Sequence, residues 1–227
     1  MRITTWNLMR PNARTTDRNQ YFLDTIQKSN SDIIILTETN DLIDPGKDYE
    51  SASSLPLPAS FESFNYAEGE KRVSVYSKYP FGESFEVSDP YTSVCREIST
   101  PWGALIFYAT IIGVTGGKDE RFKKELIGQQ NDILHLAKTN RLCVAGDYNI
   151  SFSGYPYPSR NVGEEFAAFL ADNNLNLLTK EIADVPDHIA ISGNFLEDCQ
   201  YLSSRMVIDQ KISDHHLVTT NLTQMLV

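Results

Sequence analysis

Five short stretches set carboxylates, carboxamides or histidines at the edges of apolar runs. Asn7 follows Ile3-Thr4-Thr5-Trp6, and Glu38 follows Ile33-Ile34-Ile35-Leu36-Thr37. Asp147 and Asn149 follow Leu142-Cys143-Val144-Ala145-Gly146. Asp187 and His188 open the run DHIAIS, and Asp214, His215 and His216 open SDHHLV. Polar groups that end neighbouring strands of one sheet converge on a rim, and open sheets bind ligands at such rims. Singly, each has a plainer reading. Asn7 and Gly146-Asp147-Tyr148-Asn149 are turn-forming residues, Glu38 precedes a polar loop, and Ser213-Asp214 could cap an element. Coincidence is a poor account of all five in order. Oxygen donors without sulfur select a hard cation such as Mg²⁺ or Mn²⁺ rather than zinc. A hard cation, an activating carboxylate and a histidine together suit hydrolysis of a phosphate ester. The cation polarises a phosphoryl oxygen, a base positions water, and carboxamide or cationic groups hold the developing charge.

The elements that must position these groups alternate between buried strands and amphipathic helices. Strands are expected over residues 2–7, 32–36, 72–77, 83–88, 93–99, 104–112, 142–145, 175–179, 187–192 and 215–222. The start signal Thr15-Thr16-Asp17 opens one helix, carried by Tyr21, Phe22, Thr25 and Ile26. Phe122, Leu126, Ile133, Leu134 and Ala137 mark a long helix over 118–139, and 164–171 reads as a short one. Residues 44–69 and 151–162 are long loops, a place where function often resides. Many strands with few helices predict layered sheets with outer helices, an α/β or α+β sandwich in one domain over 1–227.

Composition narrows the class. Of 227 residues, 41% are hydrophobic and 22% charged, which excludes a disordered or fibrous chain. The net charge of −10 argues against a tight nonspecific nucleic-acid coat. It leaves room for an enzyme on phosphate esters, because a bound cation inverts the local field. Cys95, Cys143 and Cys199 are odd in number and widely spaced, so buried reduced thiols are expected. No apolar run is long enough to span a membrane, and the N-terminal MRITTWNLMRP lacks a signal-peptide pattern. A cytoplasmic location is the expectation.

With TWN at 5–7, TE at 37–38, GDYN at 146–149, DHI at 187–189 and SDHH at 213–216, the chain resembles the endonuclease/exonuclease/phosphatase superfamily. The resemblance runs over about residues 2–222. It implies a four-layered α/β/β/α sandwich of two mainly antiparallel sheets with outer helices. It further implies that Glu38 is the main metal ligand, with Asn7 and Asp214 near the same Mg²⁺ or Mn²⁺. Asp147 would orient or deprotonate the attacking water, and Asn149 would hold a phosphate oxygen. His215 would stabilise the transition state, with Asp187 fixing its ring, and His216 is the less suited histidine. The implied activity is divalent-metal-dependent phosphodiester hydrolysis, first of all by a nuclease on DNA or RNA. A phosphatase or a phospholipid- or inositol-phosphate-cleaving enzyme is the alternative, and a non-catalytic binding module is the alternative from another class.

Some positions depart from the family pattern. Many relatives carry Asn-x-His in the strand that here reads FYATIIG, residues 107–113, and Thr37 replaces the usual Gln before the metal-binding Glu. Tyr108 is the candidate for the missing acid-type group, against a core tyrosine. Arg96, between Cys95 and Glu97 in an apolar run, is a candidate phosphate contact or a half-buried ion pair. Lys71, Arg72 and Arg160 are expected as surface charges, and GVTGG at 113–117 is assigned no phosphate role.

Overall fold

A computed structural model describes residues 1–225. The strands are β1 (Arg2–Asn7), β2 (Ile33–Asn40), β3 (Glu50–Ser53), β4 (Ser60–Phe61), β5 (Phe64–Asn65), β6 (Glu70–Ser77), β7 (Phe81–Phe85), β8 (Ser93–Thr100), β9 (Gly103–Ile111), β10 (Leu142–Asp147), β11 (Leu175–Leu177), β12 (Asp187–Ser192), β13 (Cys199–Met206) and β14 (Leu217–Gln224). The helices are α1 (Thr16–Ser29), α2 (Glu120–Ala137), α3 (Arg160–Asp172) and the short α4 (Gly193–Leu196). One sheet runs β13-β14-β1-β2-β6-β3 and the other β11-β12-β10-β9-β8-β7. Among the described residues only β1–β2 and β9–β10 pair in parallel, each pair joined through a helix, α1 or α2.

The layering follows from strand alternation, which sends successive side chains to opposite faces. Ile33 and Ile35 join Phe107, Ala109, Cys143 and Ala145 in a core between the sheets. Their neighbours Ile34 and Leu36 face outward onto Phe22 and Ile26 of α1. On the other side Ile106, Tyr108, Leu142 and Val144 pack under Phe122 and Ile133 of α2 and Phe166 and Leu170 of α3. This is the predicted α/β/β/α sandwich. Cys95 and Cys143 are buried free thiols and Cys199 is half-buried and free. Among the described residues, no helix is long and apolar enough to cross a membrane.

The departures from the sequence reading have local causes. Helix α3 starts at Arg160 rather than 164, because the Ser159 side chain accepts from Val162 N and caps it. Strand β2 continues to Asn40, past the predicted 36, so Glu38 lies within it. Strand β14 begins at Leu217, which leaves Asp214, His215 and His216 in the preceding loop rather than at a strand start. Loop 44–69 contains edge strand β3 and the small β4–β5 hairpin. Strand β13 was missed. It is a polar, largely exposed edge strand with no apolar alternation, held by eight register pairs to β14.

Candidate active site

The carboxyl ends of β1, β2 and β10 and the start of β12 share one rim across the two sheets. Asn7 closes β1 and Asp147 closes β10. Asp187 stands directly opposite Asp147 in the antiparallel β10–β12 ladder, so both carboxylates face the same side. Gly146 makes this possible. Its φ is +141°, and a Cβ there would fall 1.8 Å from the Thr110 carbonyl oxygen of β9. Glu38 has φ +45° and breaks the β2–β6 ladder between Thr37 and Thr39. A left-handed Glu inside a strand is a strained conformation of the kind found where side chains are aimed for function.

Hydrogen bonds lock the polar groups together. The Asn7 amide donates to Asp147 Oδ2 at 2.9 Å and to Glu38 Oε1 at 3.2 Å, while its oxygen accepts from Met9 N. Asp147 Oδ1 accepts from Asn149 N at 2.8 Å. His215 Nδ1 lies 2.6 Å from Asp187 Oδ2. Its Nε2 edge is 3.9 Å from both Asp147 Oδ2 and Asp214 Oδ1. Ser213 Oγ donates to Asn7 O and accepts from His215 N, and Trp6 Nε1 donates to His215 O. Arg18 of α1 ties Leu8 O, Met9 O and Ile212 O into the same corner. Ser213 was read from sequence only as a possible cap and as part of SDHH, and Arg18 was not singled out, because its bonds go to backbone carbonyls that the sequence does not bring near.

Burial and mutual charge set the protonation states. Burial pushes the Asp147 carboxyl up to about 6, against the opposing attraction of His215. Burial also raises Glu38, with the Asn7 hydrogen bond opposing. Asp187 is raised by burial, with His215 opposing. Burial alone would lower His215, but Asp187 and then Asp147 outweigh it and lift the ring to about 10. The result at neutral pH is an imidazolium edge facing a buried carboxylate.

The donor chemistry fits a hard cation. Glu38, Asp147, Asp187 and Asp214 crowd around the single imidazole of His215, with Arg18 sensing Glu38 and Asp214 and Arg10 sensing Glu38 from farther out. That excess of negative charge on oxygen donors is what a divalent cation balances. Among the described residues, no three His, Cys, Asp or Glu side chains close into a ready-made metal cage. Few protein ligands completed by water and substrate is the usual arrangement for Mg²⁺.

The structure brings Asn7, Glu38, Asp147, Asn149, Asp187, Asp214 and His215 together, with Asp214 the most exposed, its side chain 64% accessible. The Asn149 side chain reaches back to the end of β9. Its amide donates to Ile112 O at 2.9 Å and Gly113 O at 3.2 Å, so those hydrogens are engaged with backbone rather than free for a phosphate. The same nitrogen lies 3.3 Å from Asp147 Oδ2. Tyr108 is not at the rim. It is fully buried beneath α2, and its hydroxyl donates to Asp132 Oδ2 at 2.8 Å, so the core reading holds. Arg96 lies toward the far edge of its sheet, donating to Gly82 O and stacked over Phe81 at 5.3 Å. Arg72, expected at the surface, is buried. His216 accepts from Ile208 N and turns away from the carboxylates.

The chain belongs to the Endonuclease/Exonuclease/phosphatase family, whose model matches residues 4–220. Solved structures of similar fold include a 3′ phosphatase, NExo, from Neisseria bound to product DNA hairpin (TM-score 0.70, 14% identity, 98% of this chain and 99% of that one). Others are an AP endonuclease from Archaeoglobus fulgidus (TM-score 0.66, 12% identity, 97% and 98%) and an endonuclease/exonuclease/phosphatase from Beutenbergia cavernae DSM 12333 (TM-score 0.68, 16% identity, 99% and 72%). At these identities the likeness is one of fold, a fold that carries both nucleases and phosphatases. No curated protein sequence matches the chain.

Proposed function

We propose that the chain is a divalent-metal-dependent phosphodiester hydrolase acting on nucleic acid. The observation that carries this reading is the Asp187–His215–Asp147 line: a carboxylate 2.6 Å behind the ring and a second carboxylate 3.9 Å in front of it. Glu38 and Asp214, with Asn7 beside them, are the residues that would hold Mg²⁺ or Mn²⁺. The cation's contribution is to polarise the phosphoryl oxygen and offset its charge.

The remaining work belongs to the chain. Asp147, lifted to about 6, is ionised at neutral pH yet basic enough to accept a proton from an attacking water. Asn7 and Asn149 hold its two oxygens in place. His215 enters charged, and its Nε2–H donates to a phosphoryl oxygen as charge builds there. Asp187 fixes the ring through Nδ1 and favours the charged form. The phosphate thus sits between a base and a cationic donor.

The test is a substrate panel with Mg²⁺: plasmid, abasic duplex, single-stranded oligonucleotides, inositol phosphates and bis-p-nitrophenyl phosphate. Hydrolysis of phosphodiesters that stops in EDTA is expected. Cleavage only of terminal phosphomonoesters would convert the reading to a phosphatase, and full activity in EDTA would remove the metal from it.

A further inference from the structure

The β4–β5 hairpin stands beside Glu38 in a way the hydrolytic centre does not require. Its turn residues Glu62 and Ser63 both have positive φ, +51° and +69°. Glu62 accepts from Arg72 Nη2 of β6 at 2.6 Å and also pairs with Arg121 of α2. That double ion pair ties the hairpin to both outer halves of the sandwich at the rim. The hairpin then presents Phe64, 40% exposed, and Tyr66 to a small recess of about 60 Å³ that Glu38 also lines.

Two guanidinium groups share the recess. Arg10 lies over the Tyr66 ring at 4.7 Å, donates to Asn65 O at 2.5 Å and is paired with Glu70, leaving its side chain 39% exposed. Arg72 is buried against Phe61 and Tyr66, and its Nε and Nη1 have no partner among the described residues. A buried guanidinium with unused donors is costly unless an acceptor arrives. Arg10 and Tyr66 also line a wider hollow of about 670 Å³ with Asn12, Arg14 and Glu70, so the recess leads outward past two arginines, one of them paired with Glu70. In a chain of net charge −10 this concentration of arginine and exposed aromatic surface is local.

An exposed aromatic ring, a flat guanidinium held in a fixed plane and unused cationic donors are the parts that grip a nucleic-acid strand. Bases stack on aromatic and guanidinium planes, and phosphates accept from the cations. Resting on the hydrolytic reading above, we infer that the nucleotide next to the scissile phosphate binds across the mouth of this recess and along the wider hollow beside it. Its base stacks on Phe64 and the Arg10–Tyr66 pair, and its phosphate accepts from the half-exposed Arg10, with the buried Arg72 behind it as a fixed positive charge. The substrate is then a strand, not an isolated phosphate ester.

The test measures fluorescence anisotropy of labelled single strands, DNA in one arm and the same sequence as RNA in the other, with Ca²⁺ in place of Mg²⁺. Wild type is expected to bind at least one strand at micromolar concentration. Phe64→Ala is expected to weaken that binding about tenfold, the scale of one base–aromatic stack. Arg10→Lys keeps the charge and the Glu70 pair but loses the plane, and is expected to weaken binding about fivefold. In Mg²⁺, the ratio of kcat/KM on the strand to kcat/KM on bis-p-nitrophenyl phosphate should fall by the same factors. Phe64 is exposed, so its variant folds and decides the matter even if Arg10→Lys does not. Undiminished strand binding by Phe64→Ala, or no binding by wild type, overturns the inference. Failure of wild type to hydrolyse any phosphodiester would instead count against the hydrolytic reading, and the binding arm would still decide this one.

Discussion

Asp187 and His188 are adjacent on β12, and strand alternation sends them to opposite faces with opposite fates. Asp187 reaches the rim and meets His215, a histidine enclosed by carboxylates and lifted to about 10. His188 points the other way into a dry pocket of Tyr148, Phe152 and Thr179. There Nε2 donates to Ile150 O at 2.9 Å and Nδ1 accepts from Thr179 at 2.9 Å. Burial pushes that ring down to about 4, so it stays neutral. Both imidazoles are largely enclosed, but only His188 has both ring nitrogens hydrogen-bonded, and His215 leaves its Nε2 edge open at the rim. The difference is in the partners: neutral dipoles make a histidine a core fixture, and carboxylates make it a cation at the rim.

The largest effect that would break this contrast is at the rim. Asp147→Asn should lower turnover by about 10³-fold, since it removes the base. The same change should leave thermal stability level or slightly higher, because burial disfavours the carboxylate it replaces. Turnover near wild type, or a collapse of stability, would place Asp147 among the structural residues.

The core histidine should behave in the reverse way. His188→Ala should cost about 2–4 kcal/mol of stability, read by urea unfolding, by emptying a packed pocket and stranding Thr179 and Ile150 O. The rate per folded molecule should not change. Because His188 is lowered in the folded state, its contribution is fully present above about pH 6.5 and is lost as pH falls toward 4. The loss is about 3 kcal/mol at the acid end. Asp147, raised by folding, works in the opposite sense over the same range. The wild-type minus His188→Gln difference therefore isolates the histidine, and a difference that stays flat between pH 7 and 4 would contradict its neutral state.

The smallest effect is expected at Tyr108. Tyr108→Phe deletes the hydrogen bond to Asp132 and should cost about 1 kcal/mol without altering hydrolysis. A loss of activity larger than the loss of folded protein would return Tyr108 to the active site.

The rim was legible in the sequence because each of its groups follows or opens a run of buried residues, and such runs declare strands locally. Asn7, Glu38, Asp147 and Asp187 could be placed at strand ends for that reason. The partners of those groups were less legible. The capture of the Asn149 amide by the carbonyls of Ile112 and Gly113 is a contact between residues 37 and 36 positions apart. The burial of Arg72 depends on a hairpin inside a stretch read as loop. Tyr108 and Tyr148 look alike in sequence to residues that face a site, and strand register alone turns them under the helices. The edge strand β13 left no apolar signature, since its pairing is with backbone rather than with the core.

The proposed hydrolysis depends most on the Asp187–His215 pair acting in the reaction rather than merely joining two elements. A pH–rate profile of wild type and Asp187→Asn on a hydrolysed phosphodiester in Mg²⁺ tests it directly. His215 is raised in the folded protein, so its donating form persists through neutral pH and is lost as pH rises through that raised value. The wild-type rate should therefore fall only on the far alkaline side. Asp187→Asn should lower the rate by about 10- to 100-fold and move the falling limb to lower pH, because the strongest attraction holding the proton is gone. Two superimposable profiles would contradict the assignment of His215 as the charged donor of this site.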